Sequence, residues 1–150
     1  MEDRPEKEDQ IRQTGEPARA GPQGQMSGPH RILVVDDQPL IRQLNVKRLM
    51  DAGYHVDAAE DGIAAWSTLR QSNYDLIITD NTMPRMTGLE LIEKVRAAGM
   101  GVAVLMASGT VPTEQFNRYP WLQPNATLSK PYSAEEFLRT VKKILARPPP

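Results

Sequence analysis

The chain predicts an α/β fold: a parallel β-sheet of five strands with helices packed on both faces. Three observations carry that prediction. Five short apolar runs recur along the sequence, at Ile32–Val35, Val56–Ala59, Leu76–Thr79, Val102–Met106 and Ala126–Leu128. They are largely continuous rather than alternating in polarity, as strands buried on both faces read. Between and after them lie segments with helical spacing of apolar residues, and such alternation builds parallel sheets.

The first run ends at Asp36-Asp37. Leu40, Ile41, Leu44 and Leu49 then recur at loosely helical spacing, and Gly53 is the expected stop. The second run is followed by Ala65, Trp66 and Leu69 on one helical face, which assigns Trp66 to the core. The third run ends at Asp80; after the turn-forming Pro84 and Gly88, Leu91, Ile92 and Val95 mark the next helix. The fourth run leads to Ser108-Gly109. Pro112, Pro120 and Pro124 then confine the fourth helix to at most Thr113–Tyr119, because proline blocks helix continuation. Trp121, between Pro120 and Pro124, is either exposed or, the reading preferred, packed over a loop.

The last run closes at Lys130-Pro131. The helix after it has the clearest signature. Ser133 and Glu136 are expected to form a capping box, and Phe137, Leu138, Val141, Ile144 and Leu145 an apolar face. Glu135 and Glu136 at its start and Lys142, Lys143 and Arg147 at its end complement the helix dipole.

Five strands and five helices use all of residues 30–147, so one domain accounts for a chain of 150 residues, with Pro148–Pro150 as a short tail. Residues 1–29 differ in kind. They hold six acids, four bases, four Gly and four Pro, with Met1, Ile11 and Met26 as the only large apolar side chains. A segment with so little to bury does not offset its ordering entropy, so a disordered charged tail is expected, with Met26 a candidate start of translation. The net charge of -1 lacks the basic surplus of nucleic-acid or membrane-surface binding. The absence of Cys excludes disulfides, thiolate metal sites and Cys nucleophiles. No apolar run approaches the roughly 20 residues that span a bilayer, and the charged N-terminus is unlike a secretory signal. A cytoplasmic protein with no membrane and no nucleic-acid partner is expected.

The polar residues of interest share one position. Asp36-Asp37, Asp80, Ser108 and Lys130 each lie just beyond the carboxyl end of an expected strand. In open α/β sheets, sites form at that edge, where strand order reverses. Three carboxylates brought together repel one another unless a cation sits among them. A hard divalent ion with oxygen ligands, Mg2+ above all, suits them. Lys130 adds positive charge and Ser108 a hydroxyl donor, which together fit a dianionic phosphoryl group. Singly, each has an ordinary reading: N-caps for Asp36-Asp37, an Asx-turn for Asp80, a loop hydroxyl for Ser108, a turn for Lys130-Pro131. Together, in this order, they outweigh coincidence. His30 and His55 lack partners at ligand spacing and receive no role.

With these motifs the chain resembles the receiver domain of bacterial two-component response regulators over essentially all of 31–146. The resemblance rests on Ile32-Leu33-Val34-Val35-Asp36-Asp37, Asp75-Leu76-Ile77-Ile78-Thr79-Asp80, Met83-Pro84 with Met86 and Gly88, Ala107-Ser108-Gly109, and Lys130-Pro131. It implies a doubly wound, flavodoxin-like sheet of order 2-1-3-4-5. It also implies roles. Asp80 is the phosphoacceptor, taking a phosphoryl group from a sensor histidine kinase or a histidine phosphotransfer protein. Asp37, Asp80 and the backbone carbonyl of Thr82 ligate Mg2+, with Asp36 acting through a metal-bound water. Ser108 and Lys130 contact the phosphoryl oxygens, Gly109 leaves room for them, and the Lys130–Pro131 bond is cis.

The implied function is a stand-alone phosphoacceptor signalling protein without an output domain. It is no enzyme beyond its own phosphorylation and dephosphorylation, and it acts by changing its interaction with a downstream protein. Two alternatives stand beside it. One is an interaction module that is never phosphorylated, although such modules usually lose an acidic or Lys position that is intact here. The other is a Mg2+-dependent phosphatase with an aspartyl-phosphate intermediate, whose usual motif spaces two Asp two residues apart, unlike the adjacent Asp36 and Asp37. One departure from the family concerns output. Many receivers carry Tyr or Phe three residues before the Lys, where this chain has Thr127. With the shortened fourth helix, this implies a reshaped partner surface.

Overall fold

Alternate side chains of the strands feed two separate cores, and this divides the molecule into three layers. In the computed structural model, which describes residues 28–146, five strands alternate with five α-helices. In chain order these are β1 Arg31–Val35, α1 Pro39–Asp51, β2 His55–Ala59, α2 Gly62–Gln71 and β3 Leu76–Thr79. They continue with α3 Gly88–Ala97, β4 Ala103–Ser108, α4 Thr113–Arg118, β5 Ala126–Ser129 and α5 Ala134–Leu145. The expected tail over 1–29, save Gly28 and Pro29, the domain's last residue Arg147 and the tail 148–150 lie outside the described residues.

All strand pairs are parallel, and the order is β2-β1-β3-β4-β5, the 2-1-3-4-5 topology implied by the sequence. Leu33, Val35, Ile77, Val104 and Met106 point to α2, α3 and α4 and join Ala65, Leu91, Ile92, Val95 and Phe116. Ile32, Val34, Leu76, Ile78, Leu105 and Ala107 point the other way and join Leu49 of α1 with Phe137, Val141 and Ile144 of α5. Burying a side chain such as Phe137 in full contributes about 2–3 kcal/mol. The outer strands β2 and β5 carry the exposed polar positions His55, Asp57, Thr127 and Ser129.

Strand register places the site. Val35 pairs with Thr79, so Asp36 and Asp80 leave neighbouring strands at the same level. Ser108 pairs with Ser129, and the Lys130 N–H donates to the Ser108 carbonyl at 3.0 Å. The Lys130–Pro131 bond is cis, as implied.

Several boundaries and faces differ from the sequence expectation. β4 runs from Ala103 to Ser108, two residues past Met106, so Ser108 closes the strand instead of following it. α1 turns a different face inward: its buried residues are Asn45 and Leu49, while Leu40 is 80% and Leu44 45% exposed. Polar contacts explain the rotation. The Asn45 amide donates to the Tyr132 hydroxyl at 2.9 Å, and Arg42 donates to the Asp36 carbonyl at 2.8 Å. Ser133 caps α5 by accepting the Glu136 N–H, without the reciprocal bond of a capping box. The complete box sits instead at Thr87 and Glu90 at the start of α3, a Thr-x-x-Glu spacing legible in the sequence.

α4 is six residues long, as the prolines dictate, and a 3₁₀ turn at Pro120–Leu122 follows it. Leu122 is buried and packs this segment down, whereas Trp121 is 55% exposed. Arg96 of α3 donates to the carbonyls of Val102 and Gln123 and clasps the segment from beneath. Trp66 is half-buried against the α2–α3 core, with the cationic ends of Arg70 and Lys94 over its ring.

Candidate functional site

Asp36, Asp37, Asp80, Ser108 and Lys130 meet at the carboxyl edge of the sheet, the point where the strand order reverses. Asp36 and Asp37 follow β1, but neither caps α1. Gln38 is its N-cap residue, without a side-chain bond, and Pro39 begins it. Not engaged as caps, the two carboxylates turn toward that of Asp80. One oxygen from each of Asp36, Asp37 and Asp80 lies within 4.8 Å of the others. Asp36 and Asp80 are buried and Asp37 is exposed.

Lys130 neutralises the buried pair. Its Nζ donates to Asp80 Oδ2 at 3.0 Å and to Asp36 Oδ2 at 3.1 Å. Burial alone lowers the Lys130 pKa, but the hydrogen bonds and charges of Asp80 and Asp36 outweigh it, and the ammonium is held above its usual value. The second oxygens are occupied by backbone donors: Asp80 Oδ1 accepts the Asn81 N–H at 2.6 Å, and Asp36 Oδ1 accepts the Gln38 N–H at 3.0 Å.

Ser108 is buried beside this cluster. Its Oγ accepts the Thr110 N–H at 3.0 Å and lies 3.3 Å from Thr110 Oγ1. A Cβ at Gly109 would meet nothing within 4 Å, so the approach over Ser108 is open. Thr82 lies exposed in the loop between β3 and α3, and its hydroxyl lies 2.7 Å from that of Thr110. That contact joins the two loops bordering the pocket.

Three further contributors escaped the sequence reading. Asn81 braces the loop after Asp80: its side chain donates to the Thr110 carbonyl at 3.2 Å and accepts the Leu89 N–H at 3.0 Å. Tyr132, two residues past Lys130, stacks on Phe137 with ring centroids 5.5 Å apart and bonds Asn45. Arg85 pairs with the buried Asp61. Each links residues whose proximity only the fold creates, so no local spacing signals it. His30 and His55 are exposed, remote from the pocket.

The donor set is all oxygen, two buried carboxylates and one exposed, which suits a hard divalent cation and not a thiophilic one. No described helix is long and apolar enough to cross a membrane.

Known proteins resemble the chain in sequence and in fold. A family model described as the response regulator receiver domain matches residues 32–142. Response regulator MprA of Mycobacterium sp. (strain KMS) is 32% identical over 124 residues, covering 81% of this chain and 53% of that protein. The chain thus spans about half the length of the curated relatives it first matches. The chemotaxis protein CheY4 of Vibrio cholerae superposes with a TM-score of 0.72 at 32% identity, covering 79% of this chain and 100% of that one. The response regulator TrrA of Thermotoga maritima, solved in complex with Mg2+-BeF, superposes with a TM-score of 0.67 at 32% identity, covering 77% and 99%.

Proposed function

Since the chain belongs to the response regulator receiver domain family, we propose that it is a phosphoacceptor whose Asp80 takes a phosphoryl group from a histidine of a sensor kinase or phosphotransfer protein. The observation that carries this reading is the double hydrogen bond of Lys130 Nζ to Asp80 and Asp36, with Asp37 beside them. A carboxylate nucleophile must approach a dianionic phosphoryl group, and the repulsion is tolerable only where fixed cations neutralise it.

In the transfer, an Asp80 carboxylate oxygen attacks phosphorus in line. The bond from phosphorus to the donor imidazole nitrogen breaks, and its electron pair stays on that nitrogen. Lys130 shifts a hydrogen bond from Asp80 to a phosphoryl oxygen. Ser108, whose Oγ accepts the Thr110 N–H and lies 3.3 Å from Thr110 Oγ1, would turn its proton to a phosphoryl oxygen. Asp37, Asp80 and the Thr82 carbonyl would hold Mg2+ directly, and Asp36 through a water. When bound, the ion supplies neutralisation and orientation at the phosphoryl oxygens. The new aspartyl phosphate would alter the loops bordered by Thr82 and Thr110 and so the surface offered to a downstream protein. Thr127 is exposed and carries no ring, so the output does not depend on an aromatic swing at that position.

Incubation with acetyl phosphate and Mg2+ is expected to add one phosphoryl group. Chelation of the metal or the substitution Asp80→Asn should abolish the addition. Equal labelling of the Asp80→Asn protein would refute the assignment.

A second expectation concerns the metal alone. Millimolar Mg2+ should raise the thermal unfolding midpoint, since a ligand at ten times its Kd stabilises by about 1.4 kcal/mol. Asp37→Asn should remove that response without lowering the stability of the metal-free protein, because it relieves repulsion among three carboxylates. A wild-type midpoint indifferent to Mg2+ contradicts the proposed ligand set.

A further inference from the structure

Arg85, in the loop after Asp80, is the one non-glycine residue with positive φ among the described residues, at 69°. A side chain with a Cβ is disfavoured there, so the surroundings must hold it. Its guanidinium, though 60% exposed, pairs with the Asp61 carboxylate, which is 2% exposed. Glu60 stands further off, at 3.9 Å. The other oxygen of Asp61 caps α2, accepting the Ala64 N–H at 2.8 Å. One buried carboxylate thus ties the start of α2 to the loop following β3. A buried charge needs its counter-ion, which sets this pair apart from an ordinary surface salt bridge. The neighbouring backbones are also in contact: a Cβ on Gly62 would stand 2.8 Å from the Met86 Cβ.

The loop therefore has two anchors. Asn81 fixes its start through the Thr110 carbonyl and the Leu89 N–H, and Arg85 with Met86 fixes its far side. Thr82 lies between them. Resting on the reading of Asp80 as phosphoacceptor, we propose that the Arg85–Asp61 pair is a positioning device. It holds the loop in the conformation that offers the Thr82 carbonyl to the metal. Arg85 touches neither metal nor phosphoryl group; it acts through the backbone three residues before it. Without the guanidinium, residue 85 is held at positive φ only by the Met86 N–H bond to the Pro84 carbonyl at 2.7 Å and by the burial of Met86, and the segment from Thr82 to Arg85 gains conformations in which the carbonyl is lost to the metal.

Arg85→Gly separates tether from backbone, because glycine accepts the left-handed conformation without strain while the ion pair disappears. Mg2+ affinity of the whole chain would be measured by titration calorimetry, and phosphorylation by acetyl phosphate followed against Mg2+ concentration. Arg85→Gly and Asp61→Asn are expected to weaken Mg2+ binding about tenfold, as loss of a residue supporting a metal ligand does. Arg85→Lys should recover most of it. The deficit should lie in the Mg2+ concentration for half-maximal rate, with the rate at saturating Mg2+ near that of the wild type. The double variant should be no weaker than either single one, since both remove the same contact. Wild-type Mg2+ affinity in Arg85→Gly overturns the tether. If Arg85→Gly does not fold, Arg85→Gln against Arg85→Lys makes the same comparison, and equal affinities overturn the tether again. A wild-type protein that binds Mg2+ but takes no phosphoryl group on Asp80 sinks the phosphoacceptor reading instead, while the calorimetric comparison still decides the tether.

Discussion

Replacing Lys130 with Met is expected to slow phosphorylation of Asp80 by about a hundred- to a thousandfold, the loss typical when one fixed donor to a developing anionic oxygen is removed. Met matches the length of the aliphatic stem and removes only the ammonium. Two effects combine in the variant. The phosphoryl oxygens lose a cation, and Asp36 and Asp80, both buried, lose the group that offsets their repulsion. Breaking a fully buried pair costs about 3–5 kcal/mol, but Lys130 is 21% exposed and solvent screens part of the charge, so about 1–3 kcal/mol of stability is expected to go. Mg2+ should restore more stability in the variant than it adds to the wild type, because the ion meets less neutralised carboxylates.

The pH dependence follows from the direction of the Lys130 shift. Its folded pKa lies above the ordinary value, so its stabilising contribution is complete below about pH 10.4, the unperturbed value, and is lost as pH rises through the folded one. Denaturant unfolding of both proteins should therefore show a stability gap that is constant from neutrality into the mildly alkaline range and closes only in strong alkali. A gap that closes near pH 8 would show that the Lys130 ammonium is not held above its ordinary pKa.

Gly88→Ala is the second large effect expected. Gly88 opens α3, where alanine is otherwise the better residue by about 1 kcal/mol. Here the new Cβ would run into the carbonyl oxygen of Asp80 itself and crowd the Asn81 backbone. The Gly88 N–H also donates to the Asn81 carbonyl at 2.9 Å, so the two backbones are already locked together. No rotamer relieves a contact between a Cβ and a carbonyl, and forced overpacking costs about 1–3 kcal/mol or more. The clash wins over the helix propensity. The variant should lose about 2 kcal/mol of stability net of the propensity gain, and phosphorylation should fall because the displaced atoms belong to Asp80, the proposed phosphoacceptor. Unchanged stability together with unchanged phosphorylation would mean that the α3 terminus yields freely and does not hold Asp80.

The strands were legible because a strand buried on both faces leaves a continuous apolar run, and Leu76–Thr79 is buried throughout. The site residues were legible for a related reason. A polar residue directly after such a run has one place to go in a parallel sheet, the carboxyl edge, and Asp36, Asp80 and Lys130 all go there. The orientation of α1 was not legible, because it is set by Asn45 bonding Tyr132 across 87 positions of sequence and by Arg42 reaching the Asp36 carbonyl. Apolar spacing favoured Leu40 and Leu44, and long-range polar contacts prevailed. The brevity of α4 was legible because proline acts locally, yet the residue that seals the segment, Leu122 rather than Trp121, depends on how the 3₁₀ turn docks on α3. Arg85 and Asp61 lie 24 positions apart and meet only once β3 and α2 are placed.

Borohydride trapping decides whether Asp80 is the residue that becomes phosphorylated. Protein incubated with acetyl phosphate and Mg2+ is reduced, which converts an aspartyl phosphate to homoserine, and peptide mass mapping then locates the change. Homoserine at position 80, dependent on Mg2+ and absent without acetyl phosphate, is the predicted result. Homoserine at Asp36 or Asp37, or no conversion at any residue under conditions where Mg2+ binds, would contradict it.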